Sequence, residues 1–309
     1  MKVLIVGLGS VGKKHYNALC QLDPECKVVA LRNSRDSVPA DNIENIYSFE
    51  ELKLSTPFDF AIISNPTYQH ADTIKHLLEL NCPLFIEKPL FHSINSDSIL
   101  KSISSAGIKT YVACNLRFLD SIIFLKKMLP GIRVNEVNIY CGSFLPEWRP
   151  EVDYKTIYSS HSQKGGGVHL DLIHELDYTL WLFGKPLSVN SFRSSKSTLC
   201  INAVDYSNYM LEYNGFAVNV ILNYYRRDKK RTIELVCQDD TYTVDLYSNS
   251  VSTAKELVFK SDQVINDTYI DQMEYFIDMI TNPLKKNVGI MNNVNEAFEV
   301  LKICLDKWN

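Results

Sequence analysis

The chain has 309 residues, of which 46% are hydrophobic and 22% charged, and its formal net charge is −4. That length exceeds what one hydrophobic core usually organises, so two domains are expected. The composition is that of a globular protein, with no basic surplus to draw nucleic acid or an acidic membrane surface as a partner.

Residues 1–6 carry one Lys before a short apolar stretch and no cleavage-like segment, so they read as a strand rather than a signal. No apolar run approaches the roughly 20 residues of a spanning helix, and a cytoplasmic location is expected. The eight cysteines are scattered without a CxxC pair, mostly inside apolar runs, which fits buried thiols better than a disulfide framework or metal site.

In chain order, the strand at 3–6 leads straight into Gly7-Leu8-Gly9-Ser10-Val11-Gly12 and a helix near 11–22. Gly7 permits the tight turn, Gly9 lets the backbone approach a pyrophosphate, and Gly12 allows close helix–sheet packing. With Ser10 and Val11 they form the N-terminus of a helix whose amides and dipole attract phosphate. A strand at 27–31 ends in Arg32-Asn33-Ser34-Arg35. An NAD site usually has an acid there to bind the ribose diol, and this stretch has none. Arginines would attract the 2′-phosphate of NADP, which is favoured over NAD. In the alternative, Arg32 and Arg35 are solvated and Asn33 binds the NAD ribose.

Further strands are predicted at 60–64, 84–86 and 110–113, with helices near 48–53, 68–80 and 95–106. Strands apolar throughout, alternating with helices, indicate a doubly wound parallel sheet of Rossmann type over residues 1–118. Ligands bind beyond the carboxyl ends of such strands. Three stretches meet there: Asn65-Pro66-Thr67 through His70, Glu87-Lys88-Pro89, and Asn115-Leu116-Arg117-Phe118. With the glycine turn, Asn65, Pro66, Thr67, His70, Glu87, Lys88 and Asn115 make the expected cofactor site. Alcohol oxidation needs a group that takes the hydroxyl proton as hydride leaves. Lys88 either exchanges that proton or only hydrogen-bonds the oxygen.

From 119 the pattern changes to an α+β domain spanning 119–309. A helix near 119–129 stops at Pro130-Gly131, a strand covers 134–144, and 146–164 is irregular and rich in Tyr and Ser. After Gly165-Gly166-Gly167 comes a helix on which Asp171, His174, Glu175 and Tyr178 share a face, opposite Leu172, Ile173, Leu176, Leu180 and Phe183. One reading is an amphipathic helix with a wetted stripe. The other takes His174 as general acid–base, Asp171 as its orienter or a substrate ligand, and the glycines as room for a ligand. No second cluster supplies the ligands a metal would need.

Beyond Pro186 long antiparallel strands are expected, with 204–213 and 216–225 closing on an Asn214-Gly215 hairpin turn and others at 231–237, 241–247 and 255–260. Helices near 268–281 and 293–307 end the chain, the latter capped by Asn292 or Asn293, with Lys285-Lys286 in a solvated loop between. A large sheet covered on one face leaves the other for self-association.

These residues resemble the glucose–fructose oxidoreductase/inositol dehydrogenase (Gfo/Idh/MocA) family over essentially the whole chain. The likeness rests on GLGSVG at 7–12, Asn65-Pro66-Thr67 with His70, Glu87-Lys88-Pro89, Asn115-Leu116-Arg117-Phe118 and the Gly-led helix bearing Asp171 and His174. The resemblance implies a second domain built on a large, mostly antiparallel, open-faced sheet that forms dimers or tetramers. It also implies NAD(P)-dependent oxidation or reduction of sugars, cyclitols or sugar nucleotides, with Lys88, Asp171 and His174 lining one substrate pocket. The family spacing places the histidine four residues after the aspartate, whereas His174 is three after Asp171 and Glu175 is fourth. Either the helix is shifted or Glu175 takes the usual histidine position.

Residues 142–150 with Tyr154 and Tyr158 resemble a subgroup tied to bacterial surface-sugar pathways. Trp148 and Tyr154 are candidates to stack on a sugar or base, and Arg149 and Arg117 to pair with an anionic group, or the segment is a structural loop. The expected activity is hydride transfer between a nicotinamide and a secondary alcohol or ketone of a sugar or sugar nucleotide. The alternatives are a non-catalytic NAD(P) sensor, or imine reduction or NAD-assisted hydrolysis on the same fold.

Overall fold

The computed structural model describes residues 1–35, 43–55, 57–282 and 292–308, so the loop expected at Lys285-Lys286 lies outside the described residues. The chain forms two compact units, Met1–Asn115 with Asn266–Phe298, and Leu116–Ile265 with Glu299–Asn309.

The first unit holds six parallel strands, β1 (Lys2–Val6), β2 (Lys27–Leu31), β3 (Ile43–Ile46), β4 (Phe60–Ile63), β5 (Leu84–Glu87) and β6 (Thr110–Ala113). Their order is β3-β2-β1-β4-β5-β6, the doubly wound arrangement with its switch point between β1 and β4. Helices α1 (Ser10–Leu22), α2 (Phe49–Leu54), α3 (His70–Leu77) and α4 (Asp97–Ala106) connect them. Leu4, Ile5, Ala61, Ile62, Phe85 and Ile86 are fully buried, as central strands covered on both faces require. β3 carries no clear signature in the sequence. It is an edge strand of sequence Ile-Glu-Asn-Ile in which Ile43 and Ile46 are buried and Glu44 is exposed, so its apolar signal is two residues long.

The second unit opens with α5 (Asp120–Met128) and β7 (Val134–Phe144). The single helix expected after Gly167 is two, α6 (Val168–Asp171) and α7 (His174–Phe183), separated at Leu172 by a backbone near φ −102°, ψ 32°. Nor is there a wetted stripe, because Asp171, His174, Glu175, Asp177 and Tyr178 are all buried.

Strands β8 (Ser188–Ser194), β9 (Tyr206–Tyr213), β10 (Phe216–Asn223), β11 (Tyr225–Cys237), β12 (Thr241–Asp245), β13 (Ser250–Ser252) and β14 (Leu257–Lys260) complete an eight-stranded sheet. Its order is β14-β13-β12-β11-β7-β10-β9-β8. All its pairs are antiparallel except β7 with β10. The hairpin between β9 and β10 closes where expected, Tyr213 facing Phe216 and Gly215 at φ +93°. Along β7, Val137, Ile139 and Cys141 are buried while Glu136 is exposed and Asn138 half-buried, the alternation of a sheet with one covered face. On the open side Phe192 is 64% and Met210 46% exposed.

The chain then returns to the first unit through α8 (Thr268–Thr281), whose fully buried Phe276 meets the rings of Phe60, Phe85 and Tyr111. The last helix, α9 (Val294–Cys304), is capped by Asn293, whose Oδ1 accepts the amides of Asn295 at 2.9 Å and Glu296 at 3.1 Å. Asn292 instead exchanges two hydrogen bonds with the backbone of Val112 in β6. Five of the eight cysteines are buried and Cys200 is exposed. Among the described residues no helix is long and apolar enough to cross a membrane.

Candidate functional site

At the switch point of the first unit, the three glycines of the turn answer to different constraints. Gly7 sits at φ +87°, and a Cβ there would strike the backbone of Asn65. A Cβ on Gly12 would strike the carbonyl of Gly7 and the Ser64 hydroxyl. Both are therefore required by the protein's own packing. Gly9 is not: its φ of −79° suits any residue, and a Cβ would meet no protein atom within 4 Å. The open space above Gly9 lies at the N-terminus of α1, where the cap makes no side-chain hydrogen bond and the first turn holds no acidic residue. These residues fit a dinucleotide's pyrophosphate lying against the amides of the first turn. Ser10 is exposed and Val11 half-buried beside it.

Past β2, Arg32 donates from Nη1 to Asn45 Oδ1 at 2.9 Å. The Arg35 guanidinium lies 4.9 Å from the Tyr47 ring centroid and 3.3 Å from Glu51, with Asn33 exposed and Ser34 half-buried between them. Past β4, Asn65 Nδ2 donates to Thr73 Oγ1 at 2.8 Å, while Pro66 is exposed and Thr67 begins a short 3-10 turn.

Three of the expected cofactor ligands turn inward. His70 is 1% exposed, with its ring nitrogens 3.0 Å from the Asn65 carbonyl and 3.1 Å from that of Leu90. Burial lowers its pKa, so the neutral ring has one N–H, which it donates to one of these two carbonyls. Asn115 is buried and donates to Thr268 Oγ1 at 2.7 Å. Glu87 pairs through Oε1 with His15 Nε2, and its Oε2 accepts the Lys88 amide at 3.1 Å. Polar groups buried at strand ends need such partners. Lys88 itself is half-buried, directly beyond β5, with a cis peptide to Pro89.

The sequence pattern does not single out His15. It is fully buried on α1, three residues after Gly12 and so on the same packed face, against the rings of Phe85 and Tyr269. A polar residue at that spacing from a packing glycine was the available signal.

In the second unit the carboxylate of Asp171 is 6% exposed and accepts two tyrosine hydroxyls, Tyr158 at Oδ1 (2.6 Å) and Tyr224 at Oδ2 (2.5 Å). Burial and the neighbouring Asp171 carboxylate push the Tyr224 phenol well above its ordinary pKa, so it stays a donor. Trp148 packs edge-on against Tyr224 at 5.3 Å and donates from its indole to Ser143 at 2.9 Å. The Tyr154 hydroxyl donates to the Leu199 carbonyl at 3.1 Å, and Arg149 is exposed. The indole thus props the tyrosine that holds Asp171.

His174 is 9% exposed at the start of α7. Burial, with Arg193 nearby, pushes the other imidazole of this segment, His169, down to about 3, so it is neutral near pH 7. The glycines that lead into α6 serve the fold rather than leaving room for a ligand. A Cβ on Gly166 would strike the Tyr158 carbonyl, and one on Gly167, at φ +130°, would lie 2.6 Å from the His169 ring.

Two expected substrate ligands are committed to buried ion pairs. Glu175 is fully buried and accepts two bonds from Arg231 of β11, at 2.6 and 3.0 Å. Arg117 is 2% exposed and grips Asp177 through two bonds at 2.9 and 2.7 Å. Neither Tyr224 nor Arg231 stands out in the sequence, because each acts through a partner more than fifty residues away.

The first unit is thus a dinucleotide-binding fold, joined in one chain to a unit built on an open-faced sheet. Two models of one family match it: an oxidoreductase family with an NAD-binding Rossmann fold over residues 1–111, and the GFO/IDH/MocA C-terminal domain over 126–243. The chain belongs to the Gfo/Idh/MocA oxidoreductase family. It is 26% identical over 197 residues to the inositol 2-dehydrogenase of Rhizobium meliloti, an overlap covering 60% of this chain and 56% of that one. The chain spans about half the length of the curated relatives it matches. Among solved structures, the UDP-N-acetylglucosamine 3-dehydrogenase GnnA of Acidithiobacillus ferrooxidans superposes with a TM-score of 0.79 at 18% identity, covering 99% of this chain and 96% of that one. The WlbA dehydrogenase of Bordetella pertussis, in complex with NADH and UDP-GlcNAcA, gives 0.80 at 15% identity, with 99% and 95% covered. At these identities the likeness is one of fold.

Proposed function

We propose that this chain is an NAD(P)-dependent oxidoreductase acting on a secondary alcohol or ketone of a sugar or sugar nucleotide. The observation that carries the reading is Gly9, a glycine that the protein's own packing does not require, at the mouth of a turn on the same sheet as Lys88. When bound, the nicotinamide takes or gives the hydride. Gly7 through Gly12 and the first-turn amides hold the pyrophosphate. Lys88 exchanges or polarises the proton of the reacting oxygen, His174 serves as the second acid–base group, and Asp171 orients the substrate. A sensor would have no use for these groups. The inositol 2-dehydrogenase among its relatives supports the substrate class, and the resemblance of residues 142–150 is the ground for a place in bacterial surface-polysaccharide synthesis. We assign cofactor binding to residues 1–118 and substrate binding and assembly to 119–309. A homodimer or homotetramer through the open sheet face, in the cytoplasm, completes the reading.

The direct test follows nicotinamide absorbance while purified protein is offered inositols and UDP-sugars with either cofactor. No absorbance change with any of them would reject the assignment. Because Arg32 and Arg35 follow β2 with no acid beside them, kcat/KM should favour NADP over NAD by about tenfold, and Arg35→Ala should narrow the ratio.

Tyr224→Phe removes a hydrogen bond to a buried carboxylate and should lower kcat by roughly tenfold or more. The Kd for cofactor should hold, since the hydroxyl touches only the second unit. A variant with wild-type kcat would show that Asp171 needs no such support.

A further inference from the structure

The register of β11 against β7 slips at its start: Tyr225 faces Phe144 and Lys230 faces Gly142, so residues 226–229 bulge opposite the single residue between. Bulges of this kind recur beside active sites, where they re-aim side chains. Here the bulge and its exit read Arg226-Arg227-Asp228-Lys229-Lys230-Arg231, a concentration of positive charge in a chain of net charge −4. Two of these cations are neutralised, Arg226 by Asp228 at 2.5 Å and Arg231 by Glu175. Arg227, Lys229 and Lys230 have no carboxylate partner among the described residues. Each is held over an aromatic ring, Arg227 at 4.1 Å from the centroid of Phe144, Lys229 at 5.0 Å from Tyr247 and Lys230 at 5.6 Å from Tyr140. A ring face restrains a cation without cancelling its charge.

The bulge is tied at both ends to the segment carrying Asp171 and His174. Just before it, Tyr224 donates to Asp171, and just after it Arg231 grips Glu175, the residue next to His174. A merely solvated run of lysines and arginines would need neither the rings nor these two anchors. We infer that the bulge is an anion subsite that binds the diphosphate of a sugar nucleotide, chiefly through Arg227 and Lys229. The inference rests on the oxidoreductase reading and narrows its substrate class: a neutral cyclitol makes no use of exposed cations left without an ion pair, whereas a diphosphate does. Arg227 offers a planar fork to phosphate oxygens and Lys229 a point charge. Binding energy gathered at the diphosphate then serves to orient the sugar at the reacting carbon.

The test is calorimetric titration of the full chain with UDP alone, without cofactor or sugar. Wild-type protein should bind UDP, and more weakly as salt rises. The Arg227→Ala/Lys229→Ala variant should bind about tenfold or more weakly, with partial recovery in Arg227→Lys/Lys229→Arg. Both side chains are exposed, so melting should not change. Absence of UDP binding to wild type, equal binding by the alanine variant, or binding of glucuronate in place of UDP overturns the inference. The two readings fail separately. Turnover of an inositol with no affinity for UDP would sink the subsite alone, whereas UDP binding lost in the variant, with no hydride transfer to any substrate, would sink the reaction alone.

Discussion

Lys88→Ala should lower kcat by about 10²–10⁴-fold, the usual worth of a positioned acid–base group, and leave the Kd for cofactor nearly unchanged. The backbone at Lys88 is held firmly. Its amide is bonded to Glu87, Glu87 is paired with buried His15, and Pro89 follows through a cis peptide. These contacts are made by the backbone and remain in the alanine variant. Lys88→Arg separates the two possible roles. A guanidinium keeps the charge but does not give up a proton near neutral pH, so it should rescue activity only if the group acts by polarising the oxygen. Rates would be read from nicotinamide absorbance and cofactor affinity from fluorescence quenching. Full activity in the alanine variant would remove Lys88 from the chemistry.

The second large effect is on stability. Glu175→Ala would leave the Arg231 guanidinium buried without its partner, which typically costs about 3–5 kcal/mol. For a protein of this size that corresponds to a fall in melting temperature of roughly 5–8 °C. The pair sits beside Cys141, whose thiol burial and the Glu175 carboxylate push upward, and beside fully buried Tyr178. Replacing both partners by apolar residues, as in Glu175→Leu/Arg231→Met, should recover much of the loss, because the isolated charge is what destabilises. The same variant settles what the unusual Asp–His spacing left open. If Glu175 faced substrate, its removal would raise KM and spare stability; committed to Arg231, it does the reverse. Scanning calorimetry at two protein concentrations separates this effect from dissociation of an oligomer.

Much of this was visible in the amino-acid order. The glycine turn after β1, the apolar central strands and the Asn-Gly hairpin depend on neighbours within a few residues, and each lies where its pattern predicts. Edge strand β3 did not show, because half of it faces solvent. The break between α6 and α7 did not show either, since a spacing of three and four reads as one helix until partners pull the residues apart. Asp171 turns to Tyr158 and Tyr224, while Glu175 turns to Arg231. Likewise Asn292 and Asn293 looked alike as caps, and only the proximity of β6 gave the first a different role.

Turn chemistry and burial periodicity are local properties, so residue order alone specified a dinucleotide-binding α/β unit, an open-faced sheet and a lysine at a strand's carboxyl end. Which polar side chains are offered to a ligand and which are spent inside depends on what packs against them from distant parts of the chain. The fold gave Glu87 to His15, Arg117 to Asp177 and Glu175 to Arg231, and surrounded Asp171 with tyrosines. A buried charge or hydrogen-bonding group must find a partner wherever the folded backbone brings one, and no pattern of neighbouring residues encodes that distance.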